Sequence, residues 1–531
     1  MIRIILSERD FDYEIQALVN SFFPGEYSRV QIEGEKAEKE ETTDVENLCI
    51  SIVMTRSDIS ISIQTDTSPV YEGRASVSGD EDWHKKEGKK AHPYRSYYKN
   101  ELKKLLFTLL RDFPEEYLVS SGLRKRKIPA WGTMTGVRPT KIVMNSLLSG
   151  HSSEQLQREL RETYLCSEEK IRLGMNIAAK EAALLEQIHF EQGYSLYISI
   201  PFCPTTCLYC SFPSYPWESF SHLTEPYLQA LKTELGAMAE AMGNRRLSSV
   251  YIGGGTPTTL SAEQLRELIL HVKSCYPVSE ACEFTVEAGR PDSITREKLM
   301  VLREQGVERI SVNPQTMQQK TLDLIGRRHT VEETEGAFRL ARELGFSNIN
   351  MDLIIGLPGE TVSDFKDTLG RIQALNPDSI TIHSLVIKRA SRLRSVLEEQ
   401  AAALGKSVEE LERGRGEQME QMLLLGEQFA AEQGYEPYYM YRQKNSAGHA
   451  GSTGQENIGF ARPGRECLYN ILIMEEKQTI LAVGAGASTK LYHPDLGQVS
   501  RVENVKSITD YIDRVEEMID RKYHFLQDSL S

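Results

Sequence analysis

Between Leu196 and Val386 six short β-rich runs alternate with five amphipathic segments, and that rhythm leaves few folds open. The runs are Leu196–Ile200, Ser248–Ile252, Glu283–Glu287, Arg309–Asn313, Ile349–Ile355 and Ser379–Val386. The helical segments are Pro226–Met242, Ala262–Cys275, Thr295–Gln305, Val331–Leu344 and Thr361–Leu375. Strands that alternate with helices form βαβ units and a parallel sheet. Six units fall short of a closed eight-fold barrel, so the sequence predicts an α/β fold built on an open, partial (β/α)6 barrel. Such sheets gather their chemistry at the C-terminal strand ends.

The flanks read differently. At 531 residues the chain is too long for one core, and we divide it into an N-terminal α+β region (1–190), the barrel (191–395) and a C-terminal mixed, lid-like domain (396–531). In the first region Met1–Leu6 and Asn47–Thr65 read as β, and Tyr97–Leu118 as a helix. Pro139 suits the first turn of a helix to Leu148, and helical sequence runs from Ser153 to about Ile188. Gly34–Asp44 and Gly79–Lys90 look like charged loops, and Arg124–Lys127 like a solvated basic face. Beyond Leu397 a helical stretch reaches Gly434, followed by an irregular Gly448–Gly464, a β-like Tyr469–Val483 and a helical Ile508–Phe525. A formal charge of −14 argues against phosphate-neutralising nucleic-acid binding. With no apolar window of membrane length and no secretory pattern at the N-terminus, the expected location is cytoplasmic.

Of eight cysteines, three crowd into Cys203-Pro-Thr-Thr-Cys207-Leu-Tyr-Cys210, directly after the first strand. In a reducing compartment such spacing points to metal or redox chemistry. Three thiolates on one loop hold three irons of a cubane and leave the fourth open. The competing reading, structural zinc, normally needs a fourth protein ligand. Cys275 and Cys282 read as small core residues.

Polar residues recur at the later strand ends. Gly253-Gly254-Gly255-Thr256-Pro257 ends the second strand; alone it reads equally as a tight turn or as backbone N–H groups offered to a carboxylate. Glu287 ends the third strand, Gln315 follows the fourth and Asp352 lies in the fifth. Any one of them reads as either an ordinary cap or a ligand contact; together they suggest a ring around a polar ligand, because unpaired buried carboxylates are costly. Arg327 adds a bidentate donor suited to a carboxylate.

The words LYISIPFCPTTCLYCSF, YIGGGTPT, FTVEAGRPD, ISVNPQT, IGRRHT and MDLIIGLPGET, in this order, resemble the oxygen-independent coproporphyrinogen III oxidase family of radical S-adenosylmethionine (SAM) enzymes. The resemblance spans about Leu196 to Val386 and resumes in FARPGRECLYNILIM and GAGAS. It implies a [4Fe-4S] cluster on Cys203, Cys207 and Cys210 whose open iron chelates SAM. It places SAM contacts at Tyr197, Tyr209, Gly254, Gly255, Thr256, Glu287, Gln315, Arg327, Asp352 and Val386. It also implies a tetrapyrrole substrate, oxidative decarboxylation of a propionate to a vinyl group, and a low-potential electron donor such as a flavodoxin or ferredoxin.

Two departures mark this chain. Decarboxylating members tend to carry a fourth cysteine two residues after the triad, where Phe212 stands here. The haem-chaperone branch shares that departure but carries a His-Asn-x-x-Tyr motif, where this chain has Tyr469-Asn470-Ile-Leu-Ile473. A haem-methylating branch also lacks the fourth cysteine. Arg138 and Arg442 outside the barrel read either as surface arginines covering apolar neighbours or as partners for substrate carboxylates, the latter reading putting Arg442 on a segment that closes over the barrel mouth.

Overall fold

The computed structural model describes residues 1–35, 47–77, 93–123, 125–188, 190, 193–210, 212–386, 393–443 and 455–530. Most of both charged N-terminal stretches, Arg124 and residues 444–454 of the glycine-rich segment lie outside the described residues. The chain forms two compact units: residues 1–178 with 409–416 and 441–455, and residues 179–408 with 417–440 and 456–531.

In the first unit alternation decides the fold. Strands Leu48–Met54 and Asp58–Gln64 bury every second side chain, and with Ile2–Leu6, Ser28–Ile32 and Tyr71–Ser76 they make a five-stranded mixed sheet. Its apolar face packs under helices Asp12–Phe22 and Pro93–Asp112 in one core that includes Ile50, Ile61, Phe22 and Leu106. The long helix expected to reach Leu118 stops at Asp112, because Pro114 cannot continue it, and a short helix resumes at Glu115. The helical stretch from Ser153 likewise breaks, at a left-handed Leu165, into Ser153–Glu162 and Glu168–Ile188.

The second unit holds the barrel. Its six parallel strands are Gly193–Ile200, Arg246–Gly254, Glu283–Gly289, Arg309–Val312, Asn348–Ile355 and Ser379–Ser384, within a residue or two of the sequence expectation at most ends. Buried on both faces, these strands lack the period-two pattern of the first sheet. The sheet continues beyond them to eleven strands. Thr479–Val483 pairs in parallel with the first barrel strand, and Glu456–Ala461 pairs antiparallel with the sixth. Strands of the segment read as a lid-like domain therefore extend the barrel sheet at both edges.

The β-like reading of Tyr469–Val483 is corrected: Leu468–Glu475 is a helix and only Thr479–Val483 is a strand. The run LYNILIM is apolar on nearly every side, so no period betrays it. The Glu283 carboxylate caps its start, accepting from the N–H groups of Leu468 at 2.7 Å and Tyr469 at 3.3 Å. A fully buried ion pair between Lys522 and Glu234 closes the unit; Glu234 also accepts from Tyr511 at 2.6 Å and from the Gly484 N–H at 2.8 Å. It thereby fixes the Gly484–Ala487 turn beside Ser199, whose hydroxyl donates to the Ala485 carbonyl at 3.1 Å.

Candidate functional site

The cysteine loop leaves the first barrel strand and is stitched by backbone and side-chain bonds to the turn that ends the short helix Gln319–Leu324. The Leu208 N–H donates to the Ile325 carbonyl at 3.0 Å, and the Thr205 hydroxyl to the Gly326 carbonyl at 3.0 Å. The three sulfurs meet different company. Cys203 accepts from the Thr256 hydroxyl at 3.6 Å, and burial pushes its thiol up to about 11. Cys207 faces two guanidinium groups, Arg290 with Nη1 3.9 Å from Sγ, and Arg327. Cys210 lies at the rim, its sulfur 3.9 Å from the carbonyl of Phe212, which is 72% exposed.

Gly254 takes φ +103°, and a Cβ there would lie 2.9 Å from Ser199 Oγ and 3.3 Å from the Tyr197 hydroxyl. At Gly255 a Cβ would stand 2.5 Å from the Phe202 carbonyl oxygen. Only glycine admits the cysteine loop this closely. The N–H groups expected to await a carboxylate are already used. Gly255 donates to Ile200 at 2.7 Å and Thr256 to Phe202 at 2.7 Å, while Gly254 donates to the Glu287 carboxylate. The glycine run thus seats the loop against its neighbouring strand.

Glu287 also accepts from the Tyr251 hydroxyl at 2.5 Å. Burial pushes its carboxyl up to about 7, opposed by the Tyr251 and Gly254 donors and reinforced by the charge of Asp352. Tyr251 stacks on Tyr469 with centroids 4.4 Å apart, and Tyr197 stacks on Tyr469 at 5.8 Å. Asp352 is the opposite case. Burial works against its charge, yet His383 (Nε2 to Oδ1 3.8 Å), Asn350 (2.7 Å) and Thr381 hold its carboxyl below the usual range.

Two residues near the loop each keep one buried polar atom without a partner among the described residues. Gln315 sits at φ +68°, its backbone bridged to Asp352 and Ile354, and its buried Oε1 is unpartnered. Arg327 gives Nη1 to the carbonyls of Asn313 and Pro314, while its buried Nε is unpartnered. A strained glutamine and a buried guanidinium with unused atoms fit a polar, zwitterionic ligand. Among the described residues no three His, Cys, Asp or Glu side chains are gathered closely enough for a single metal ion. Each thiolate of a cubane binds a different iron, and three cysteines on one loop could do so. Tyr209 packs against Ile325, Ile354 and Leu385, and burial raises its phenol. Val386 follows the sixth strand, tied in through Leu385, whose N–H donates to Ile355 at 3.1 Å.

Residues 197–372 match the model of the Radical SAM superfamily. The chain is 41% identical over 401 residues to the oxygen-independent coproporphyrinogen-III oxidase-like protein HemZ of Bacillus subtilis, covering 75% of this chain and 77% of that one. The chain belongs to the oxygen-independent coproporphyrinogen III oxidase-like family of the radical SAM superfamily. It is also 33% identical over 324 residues to the haem chaperone HemW of Bacillus subtilis, covering 61% of this chain and 76% of that one. The structure of coproporphyrinogen III oxidase HemN from Escherichia coli matches at 24% identity and TM-score 0.47, over 64% of this chain and 73% of that one. Membership implies a [4Fe-4S] cluster and SAM; the relatives' names divide between oxidase and chaperone. Among the described residues no helix is long and apolar enough to cross a membrane.

Within this family frame the sequence reading overlooked Tyr251, Tyr469 and Arg290. Tyr251 stands two residues before Gly253 and so faces the same way along the strand, a signal that was there to use. Arg290 follows Glu287 by three residues, just past the end of the same strand. The expected carboxylate partner Arg442 is corrected: it is buried, and its guanidinium binds the Gly136 carbonyl at 2.8 Å and the Met134 carbonyl at 2.8 Å. It stitches the Gly-Val-Arg-Pro turn. Cys282, read as a core residue, is exposed.

Proposed function

We propose that this chain is a tetrapyrrole-directed radical SAM enzyme that removes carbon dioxide from a propionate of coproporphyrinogen III, or performs closely related chemistry on the same class of substrate. The observation that carries this reading is convergence. The Cys203–Cys210 loop follows the first barrel strand, the Gly253–Thr256 turn ends the second, Glu287 lies in the third, and Gln315 and Arg327 both follow the fourth; Thr256 reaches Cys203, Gly254 reaches Glu287 and Arg327 reaches Cys207. Cys203, Cys207 and Cys210 would hold the cluster. Tyr197, Tyr209, Gly254, Gly255, Thr256, Glu287, Gln315, Arg327, Asp352 and Val386 would surround SAM. When bound, the cluster and SAM would supply the radical hydrogen-abstraction chemistry that the chain itself lacks. The chain's part is orientation and exclusion of water: Gln315 and Arg327 offer unused polar atoms, and the Tyr197–Tyr469–Tyr251 stack floors the site with apolar surface. A flavodoxin or ferredoxin would supply the electron.

The rival reading, a haem carrier, finds little support at Tyr469 and Asn470: the Tyr469 ring is buried in the stack and Asn470 donates to Tyr438 at 3.4 Å. The experiment is anaerobic incubation with SAM, reductant and coproporphyrinogen III, followed by mass spectrometry. The expected product has lost carbon dioxide and two hydrogens per propionate, with methionine and 5′-deoxyadenosine formed beside it. SAM cleavage without tetrapyrrole turnover, together with tight haem binding in a parallel titration, would transfer the chain to the carrier class.

A further inference from the structure

The three cysteines are not equivalent, and the inequality is electrostatic. Cys203 has a hydroxyl beside it and feels the charge of Arg290, and Cys210 has a backbone carbonyl beside it and feels that of Arg327, whereas Cys207 has both buried cations in contact with its sulfur. Arg290 is held without slack. Its side chain is 3% exposed, Nε and Nη2 grip Asp292 at 3.0 and 2.6 Å, and Nη1 donates to the Thr205 hydroxyl at 2.6 Å and the Thr205 carbonyl at 3.1 Å. That grip points the remaining reach of Nη1 at Cys207 Sγ, 3.9 Å away. His329 lies beside both arginines with neither ring nitrogen partnered, so it brings no hydrogen-bonded anion to offset them. The local balance is two cations against one carboxylate, in a place where little solvent screens them.

Resting on the cluster assignment proposed above, we infer that Arg290, oriented by Asp292, is an electrostatic tuning residue that raises the reduction potential of the cluster through Cys207. Accepting one electron from the low-potential donor adds one negative charge, with no bond made or broken and no proton moved. A fixed cation and an N–H directed at a ligand sulfur both favour the more negative state, and such interactions set cluster potentials. Arg290 has no place among the SAM contacts and touches no reacting atom. Its work is to make the electron easier to deliver.

The test is an electron-paramagnetic-resonance redox titration of the reconstituted full-length protein, with iron and sulfide content measured on each sample. Arg290→Gln is expected to lower the midpoint by roughly 59 mV or more, a tenfold fall in the reduced-to-oxidised ratio at fixed poise for a one-electron couple. Arg290→Lys keeps the charge without the fork and falls between. Asp292→Asn removes the opposing charge and is expected to shift the midpoint upward. A merely structural role would move both substitutions the same way, by loss of cluster. A full complement of iron with an unshifted midpoint in Arg290→Gln overturns the inference. Should that variant lose its cluster, Asp292→Asn decides: an unchanged or lowered midpoint overturns it. Wild-type protein that takes up no iron and sulfide removes the cluster assignment itself, a failure separable from this one.

Discussion

In the N-terminal sheet, strand Asp58–Gln64 buries Ile59, Ile61 and Ile63 and leaves Ser60 and Ser62 partly exposed. In the barrel, strand Asn348–Ile355 is buried on both faces and carries Asn350 and Asp352 inward among hydrogen-bonding partners. The first arrangement stabilises by removing apolar area from water and asks nothing else of its residues. The second keeps polar groups in a low-dielectric place, a cost that folding alone does not explain. On the proposed function, the chemistry belongs to the barrel sheet, and substitutions in the N-terminal sheet can be separated from it.

The largest expected effect is all-or-none. Cys203→Ala, Cys207→Ala or Cys210→Ala should abolish the cluster's visible absorption and SAM cleavage together, while Cys275→Ala and Cys282→Ala leave both in place. Absorption retained in any triad variant would break the comparison at its strongest point.

A core deletion in the other sheet should do the reverse. Ile61→Ala empties a fully buried position and should cost about 2–5 kcal/mol in denaturant titration. Iron content and SAM affinity per folded molecule should stay at wild-type values. A parallel loss of cluster would show that the two sheets do not divide the labour as described.

The smallest effect has the opposite sign. The Glu287 carboxyl is raised to about 7 from an ordinary value of 4.5, so the folded state holds its proton more tightly than the unfolded chain does. Its stabilising contribution is complete below about pH 4.5 and is lost as pH rises through 7. Glu287→Gln keeps an acceptor for Tyr251 and Gly254 and carries no charge. It should therefore match wild type near pH 4.5 and exceed it by about 2 kcal/mol at pH 8, allowing for solvent that reaches this partly exposed group. The same variant should bind SAM more weakly, measured by isothermal titration. A site that becomes more stable as it loses its ligand is the mark of a residue kept for function.

The barrel was legible because its signals are local. Each strand end carries Gly, Pro or a polar break, and helices such as Ala262–Cys275 open on capping boxes readable from spacing, here Ser261 with Gln264. The cysteine triad and the polar ring were legible for the same reason. What sequence hid depends on distance. Nothing around Thr479 announces Tyr194 as its partner, and nothing around Arg442 announces the carbonyls of Met134 and Gly136. The glycine run showed the opposite limit: its spacing was plain, but whether its N–H groups face a ligand or the neighbouring strand is decided by register alone.

The pairing of the first barrel strand with Thr479–Val483 has a consequence for how the protein is made. Ser199 and the Ala485 carbonyl that it binds are 286 residues apart in sequence. At about 5–20 residues per second of translation, the edge beside the cysteine loop waits roughly 15 to 60 s for its neighbour. During that interval a parallel strand rich in Leu and Ile stands open on the nascent chain, the kind of edge that pairs with other chains. The cysteines leave the ribosome in the same window, so the loop that carries them is made well before the barrel has closed its flank.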